Sequence, residues 1–464
     1  MLTVAYLANQ FPSAVEPYVG EEIEELRRRG VRVIAGSVRK RSEVEGATSP
    51  NTCVPEIVLQ PLQVIVLLKA LLLCLRKRKQ ISPLIWPVVF RGREGPLQRI
   101  KALLHMWLGA CYAVRLQGRG IEHIHAHHGY FGSWVAMAAA RLLDLGYSLT
   151  LHGSDLLLRA AYLDVKLAHC TFCLTVSEYN RRYILDRYPG VDPEKVVVSR
   201  LGVEVSERDD LPSPSHPTQA SAFTLVAVGR LCAVKNHAFL VRACAQLRTR
   251  GVHFECCIAG DGPERRRLQR LIRKCGLEER FTLLGHVPRE QMNSLYDRAD
   301  VVVLTSRSEG IPLVLMEAMA RGKIVLAPSI TGIPELVIQG KNGFLYEAGS
   351  LDDFVNRLLF IRSLMQAQDG PDLHPSILSA ARQLDWLRHA ARVQVRQNFN
   401  RKKNLQSLAD LFLSRIAAQS KSFPHENSVL QQIQLSLQRH RGVPVRTDGV
   451  DALAGPRGGA VCDV

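Results

Sequence analysis

The chain has 464 residues, 47% of them hydrophobic, and a formal net charge of +17 at pH 7. That length is too great for one ordinary domain and suits two of about 200 residues, each able to bury a core. The composition excludes a disordered or fibrous chain, and no uninterrupted apolar run reaches the roughly 18 residues of a spanning helix.

The chain opens on LTVAYL (2–7), an apolar run with no basic flank before it, which reads as a strand rather than a secretory leader. An amphipathic stretch follows from Pro17 to Gly30, then VRVIAGSV (31–38). Residues 61–79, PLQVIVLLKALLLCLRKRK, are apolar and end on Arg76, Lys77, Arg78 and Lys79. As a helix this segment is too short to cross a bilayer. It either lies in the membrane interface with its basic end on lipid phosphates, or packs as a core helix with a solvated end.

The series continues with IEHIHA (121–126), YSLTLH (147–152), TFCLTV (171–176) and KVVVS (195–199). Residues 205–221 then break it with three prolines, four serines and no hydrophobic period, the composition of a linker. Beyond it the pattern restarts: FTLVAVG (223–229), HFECCIAG (253–260), RFTLLG (280–285), DVVVLT (300–305) and KIVLAP (323–328). Continuous apolar runs suit parallel strands covered on both faces. Alternation with helical stretches argues right-handed βαβ units.

The expected fold is therefore α/β: two Rossmann-like, doubly wound domains facing across a cleft. Their boundaries fall at 1–205 and 222–385, joined by a linker at 206–221. A helical segment at 386–416 follows, and a polar, then Gly/Pro-rich tail at 424–464 reads as disordered. Eleven scattered cysteines suit free thiols in a reducing compartment. The one C-x-x-C, Cys170 to Cys173, lies in an apolar run and reads as a buried strand.

Four stretches carry candidate chemistry. SRSEGIPLVLMEAMA (306–320) follows a strand, so it opens on the ligand crevice. Gly310 permits a tight turn, Pro312 suits the first helical position, and the helix N-terminus is a seat for a diphosphate. Glu309 and Glu317 flank that seat and offer carboxylates to hydroxyls. AVGRLCAVKNHAFL (227–240) places Arg230 and Lys235 after another strand, where two cations can hold a diphosphate as its charge grows. Two surface cations among sixty Lys and Arg is the plainer reading of that pair. AGDGPE (259–264) supplies a glycine turn at Gly260 that either packs the domain or lines a nucleotide, and LGHV (284–287) can shape a base pocket through backbone groups.

The fourth stretch is in the first half: HIHAHHGYFGSW (123–134) and LTLHGSD (149–155). His127, His128, His152, Ser154 and Asp155 all follow strands and face the same crevice. A metal reading uses His123, His125, His127 and Asp155, but no fixed fourth ligand is apparent, so no metal is expected. His125 suits a satisfied core histidine. The positive charge leaves nucleic acid, anionic lipid or a phosphorylated substrate as partners, and no nucleic-acid motif is present.

SEGIPLVLMEAMA, with GRLCAVKN, AGDGP, LGHV, TGIPELV (331–337) and NGF (342–344), resembles the retaining glycosyltransferase family 4 of the GT-B fold. The likeness is close over about 220–360 and looser over 1–205. There NQFPSAVEPYVGEEIEEL (9–26), HAHHG and LHGSD resemble the exopolysaccharide and colanic-acid branch.

The resemblance implies a nucleotide-sugar donor, a saccharide or lipid-linked acceptor, no cofactor, and work in the cytoplasm or on the membrane's cytoplasmic face. It implies that Arg230 and Lys235 hold the donor diphosphate and that Glu317 binds the ribose. Glu309 would lie beside the donor sugar, the Gly310 and Ile311 backbone would touch phosphate or sugar, and His152 would lie near the reacting carbon. Gly260 would line the donor, with His127 and Asp155 on the acceptor side. Two departures stand out: ANQFP replaces a glycine-rich first loop, and Thr331 stands where the family pattern has the first of two glycines. A GT-B phosphorylase, a sugar-nucleotide epimerase and a catalytically silent basic binding protein are the alternatives.

Overall fold

The structure, a computed structural model, describes residues 1–12, 16–39, 54–91, 94–158, 161–205, 222–368 and 375–422. The expected linker at 206–221 and tail at 424–464 lie outside them.

Seven parallel strands form the first sheet: β1 (Thr3–Gln10), β2 (Arg32–Arg39), β3 (Ile57–Val58), β4 (His123–His127), β5 (Gly146–Leu151), β6 (Phe172–Thr175) and β7 (Val196–Val198), in the order β3-β2-β1-β4-β5-β6-β7. Six more form the second: β8 (Phe223–Val228), β9 (Phe254–Ala259), β10 (Phe281–Gly285), β11 (Val301–Val303), β12 (Ile324–Pro328) and β13 (Phe344–Tyr346), in the order β10-β9-β8-β11-β12-β13. Both are doubly wound. In such sheets ligands bind beyond the strand ends where the order reverses. The reversals fall between β1 and β4 in the first sheet, and between β8 and β11 in the second.

Most strands are apolar and buried on both faces, as their runs suggested. The exception is the middle of the first sheet. In β4 and β5 the register pairs His125 with Ser148 and His127 with Thr150, and β1 sets Tyr6 beside His125. One face of this sheet is therefore a buried polar ladder. The opposite face carries Ile124 and Ala126 into the core with the helices Phe131–Leu143 and Pro96–Leu116.

What covers the polar face is the far end of the chain. The sequence reads as helical over 386–416, and two helices occur, Pro375–Asn398 and Arg401–Ser422. The break lies where the chain crosses back to the first half. There Asn400 bridges to Val203, and its side-chain oxygen accepts from Lys403 N at 3.2 Å, starting the next helix. Gly202 lies against this turn so closely that a Cβ would sit 2.6 Å from Arg401 N.

The last helix is tied down by Arg401 to Glu21 at 2.7 Å and by Arg29 to Asp410. Its Phe412, fully buried, packs edge-on against His123, His125 and Phe172. Phe412→Ala should thus cost roughly 3–5 kcal/mol of stability. Urea denaturation followed by fluorescence checks this, and a loss below about 1 kcal/mol would remove the helix from the first core.

Candidate active site

Beyond β8 the chain turns at Gly229 and runs through Arg230 to Lys235. Beyond β11 it runs through Ser306 to Glu309 and Gly310. These two segments meet at the second sheet's switch point. Lys235 Nζ lies 2.6 Å from Glu309 Oε1. Backbone bonds fix the pair: Thr305 Oγ1 donates to Lys235 O at 3.0 Å and Arg307 N to Val234 O at 2.8 Å. Arg230 is exposed at the crevice edge.

Gly260 holds the β8 turn from behind. Its φ is +143°, and a Cβ there would meet Gly229 O at 2.1 Å. It packs one strand-end loop on the next.

The helix after this turn is Leu313–Ala320; Pro312 stands just before it in extended conformation, one residue earlier than expected. Glu317 is half-buried, and one of its oxygens accepts from Tyr296 OH at 2.7 Å. Burial, and then the Glu317 carboxylate, push the Tyr296 phenol well above its usual range, so it remains a donor. Sequence reasoning missed Tyr296. The signal was a tyrosine on the apolar side of the helix Arg289–Arg298, whose hydroxyl needs a partner once buried.

The first half meets this site backbone to backbone. A Cβ on Gly310 would lie 2.0 Å from His152 O; one on Gly153 would lie 2.7 Å from Gly310 N. Ile311 is buried alongside. The expected residues His152, Gly310 and Glu309 are thus brought together, with Lys235 one contact further.

Asp155 and His127, expected on the acceptor side, are both buried. Asp155 accepts from Gly129 N at 2.8 Å, Gly153 N at 2.7 Å and His152 N at 3.1 Å, so it clamps two loops together. His128, at φ +67°, lies 3.6 Å from Asp155 and 3.0 Å from Glu16. Burial alone would lower the His128 imidazole, but its bonds to Asp155 and Glu16 carry it up to about 10. Burial would likewise raise the Asp155 carboxyl, yet the His128 hydrogen bond and charge hold it well below the usual carboxylate range. This pair is ionised at neutral pH.

His152 stands beside that imidazolium, its ring tilted against Tyr18 with centroids 4.6 Å apart. Burial first, then the neighbouring His128 and His127 rings, press its pKa well below the imidazole range, so His152 is neutral. Its Nε2 lies 3.3 Å from His127 Nδ1, and His127 Nε2 lies 3.1 Å from Glu22 Oε2. Lys166 is buried beneath the loop, donating to Gly129 O at 2.6 Å and Ala161 O at 2.8 Å, and burial pulls it down to about 7.

Glu16, Tyr18, Glu22 and Lys166 were not singled out from sequence. A clue lay in HIHAH and SLTLH, two successive strands with polar residues at every second position.

Glu22, His125 and His127 bring ligand atoms within 4.8 Å of one another, the geometry of a metal cluster. The ring nitrogens of His125 are already bonded, Nδ1 to Ser148 Oγ at 2.7 Å and Nε2 to Thr150 Oγ1 at 3.0 Å. His127 Nδ1 is engaged by His152. With both His125 nitrogens taken, that ring offers no free lone pair to a metal. Asp155, a ligand in the metal reading, belongs to His128 instead. Cys170 and Cys173 are buried thiols, both pushed up by burial, the former to about 12.

A group whose pKa is raised by folding contributes fully below its unfolded value, near 6.5 for histidine, and loses that contribution as pH climbs through the folded value. Lys166, lowered by folding, changes with the opposite sign. The stability difference between wild type and His128→Gln should therefore be largest below about pH 6.5 and shrink toward pH 10. Thermal melts from pH 5 to 10 measure it, and a constant difference would show His128 uncharged.

Residues 15–207 match the family described as Glycosyltransferase Family 4, and residues 213–368 match Glycosyl transferases group 1. The chain is 33% identical over 230 residues to the putative colanic acid biosynthesis glycosyltransferase WcaL of Salmonella typhimurium, covering 48% of this chain and 52% of that protein. It is 28% identical over 309 residues to the amylovoran biosynthesis glycosyltransferase AmsK of Erwinia amylovora, covering 63% and 69%. The chain thus matches about half the length of the former relative. Anabaena HepE in complex with UDP-glucose has the same fold, with a TM-score of 0.63 at 19% identity over 89% of this chain and 100% of that one. With both halves matched in order and the two parallel sheets in place, the chain belongs to the family 4 glycosyltransferases of GT-B fold.

Proposed function

We propose that this protein moves a hexose from a nucleotide-sugar to a saccharide or lipid-linked saccharide acceptor in exopolysaccharide assembly, with retention of configuration and without a metal. The observation that carries the reading is the Lys235–Glu309 pair at the second switch point, one glycine away from His152. The similar fold of HepE, in complex with UDP-glucose, supports a nucleotide-sugar in that place.

Lys235 and Arg230 would hold the diphosphate, with the Gly310 and Ile311 backbone beside it. Until a diphosphate arrives, Lys235 is neutralised by Glu309. Once it does, the ammonium faces phosphate and the Glu309 carboxylate turns to sugar hydroxyls. Glu317 keeps one oxygen on Tyr296 and offers the other to the ribose.

In the reaction the bond between the anomeric carbon and the phosphate oxygen breaks. The acceptor oxygen bonds to that carbon from the face being vacated, and its proton passes to a phosphate oxygen. Negative charge grows on the leaving diphosphate, so preorganised cations stabilise the transition state more than the ground state.

Lys235→Ala should lower kcat by roughly 10²–10³-fold, whereas Glu317→Ala should mainly raise the donor KM. A thermal-shift panel of UDP- and GDP-sugars selects the donor, and turnover of that sugar by both variants tests the roles. Near-normal turnover by the Lys235 variant overturns the reading.

The same proposal places the first half on an anionic membrane surface. No described helix is long and apolar enough to cross a membrane. Yet the helices Val64–Arg76 and Pro96–Leu116 pack together and expose Ile65, Leu68, Leu72 and Leu104, and the segment between them exposes Trp86 and Phe90. The buried side of the first helix is Val66, Ala70 and Leu73, one helical stripe. Arg76, Arg78 and Lys79 are exposed beside this apolar surface, while Lys77 is paired with Asp144. Apolar side chains rimmed by cations fit anionic lipid. Wild type should co-sediment with phosphatidylglycerol vesicles, and the triple variant Arg76→Glu, Arg78→Glu, Lys79→Glu should not. Equal binding by both ends the membrane assignment.

A further inference from the structure

We propose that Glu22 is a positioning residue for His152, acting through His127 to hold it in a single neutral tautomer. The proposal rests on the reading that His152 faces the donor sugar.

The chain of contacts is short and buried. Glu22, on the helix Pro17–Arg28, is 1% exposed, and so is His127. The carboxylate lies 3.1 Å from His127 Nε2, off the line of a directed hydrogen bond but close enough to favour the proton on that nitrogen. With its proton on Nε2, His127 has its lone pair on Nδ1. His152 Nε2, 3.3 Å away, must then carry the proton in that hydrogen bond. This leaves His152 Nδ1 as an acceptor, and it is buried with no partner among the described residues.

The surroundings make the assignment directional. Facing this chain are Tyr6 from β1, Tyr18 and Glu16 from the first helix and its start, His125 from β4, and His128 with Asp155 from the loops. His128, ionised between Glu16 and Asp155, disfavours a second imidazolium beside it. The tyrosines are held as neutral phenols by burial, then by nearby carboxylates. His125 is satisfied by Ser148 and Thr150 and leaves the tautomer of His127 to Glu22.

Glu22 has little else to hold. Among the described residues neither of its oxygens makes a well-directed hydrogen bond, and the contact it does make is with the His127 ring. An acidic side chain buried there, aimed at an imidazole that bonds His152, acts on His152 through that imidazole.

Nitrogen-15 NMR of histidine-labelled full-length protein reads this directly. Wild-type His152, assigned with His152→Gln, should show a protonated Nε2 and an unprotonated Nδ1. In Glu22→Gln, whose amide can both donate and accept, and in Glu22→Leu, that single pattern should give way to mixed tautomers. Circular dichroism of both variants establishes that they fold, and the near-isosteric Glu22→Gln keeps a polar group opposite His127 Nε2.

Turnover is measured with whichever of UDP-glucose, UDP-galactose, GDP-mannose or GDP-fucose the panel selects. It should fall roughly 10–100-fold, the usual effect of losing an orienting partner, with donor KM little changed and an altered pH profile. A wild-type His152 protonated on Nδ1, or an unchanged pattern in both variants, overturns the role of Glu22. Mixed tautomers with unchanged turnover would instead overturn the place of His152 at the sugar.

Discussion

The structure turns on one close approach of backbone to backbone. Loop 152–153 of the first half rests on Gly310 of the second, and Gly310 in turn rests on Gly332, where a Cβ would meet Gly310 O at 2.4 Å. Three glycines are stacked because no side chain fits between them. The consequence is positional. With the loops this close, an imidazole after β5 and an ion pair after β8 and β11 face the same small volume. Neither sheet alone brings a neutral histidine and a paired lysine together.

The charges around that volume follow one logic. Three buried ionic groups are each set against a partner of opposite sign or against backbone. His128 lies between Glu16 and Asp155, Asp155 is capped by three N–H groups, and Lys166 is ringed by carbonyls. His152 is the uncharged member, and its neutrality is produced by the others: burial and a neighbouring imidazolium make a second positive charge expensive. The first half thus presents a neutral hydrogen-bonding ring, and the second half presents the cations. That division suits a ligand with hydroxyls at one end and phosphates at the other.

Much of this was legible in the sequence. Two α/β halves followed from the strand runs, and the block from Ser306 to Ala320 placed Glu309, Gly310 and Glu317 because strand, glycine, proline and apolar helix occur there in order. The rest was hidden for identifiable reasons. Tyr296 supports Glu317 from a different helix, and only the sheet order brings them together. Glu22 sits in a run of acidic residues on an amphipathic helix, and sequence does not distinguish the one that turns inward. The break at Asn400 arises from a tertiary contact with Val203, which local propensity does not encode. The alternation in HIHAH and SLTLH was visible. Its meaning depends on register, because only in-register neighbours make it a ladder under Phe412.

Thr331 shows how such a site tolerates a local conflict. It replaces a glycine of the family pattern but keeps the left-handed backbone, at φ +48°, that suits glycine. A β-branched residue there carries about 1–3 kcal/mol of strain, and its hydroxyl, buried without a partner among the described residues, returns nothing. What holds the turn is the residue four positions on. Glu335 accepts from Glu178 N at 3.0 Å and Tyr179 N at 2.7 Å, capping the helix Glu178–Arg187 of the first half, with Arg200 at 3.4 Å from the same carboxylate. A carboxylate at a helix N-terminus gains from both hydrogen bonds and dipole. The strained turn is therefore fastened across the crevice by a cap belonging to the other half. Strain and latch act on the same loop, and that loop positions Gly332 against Gly310. The lost glycine is tolerated because the conformation is imposed by the contact between the halves and does not depend on the residue's own preference.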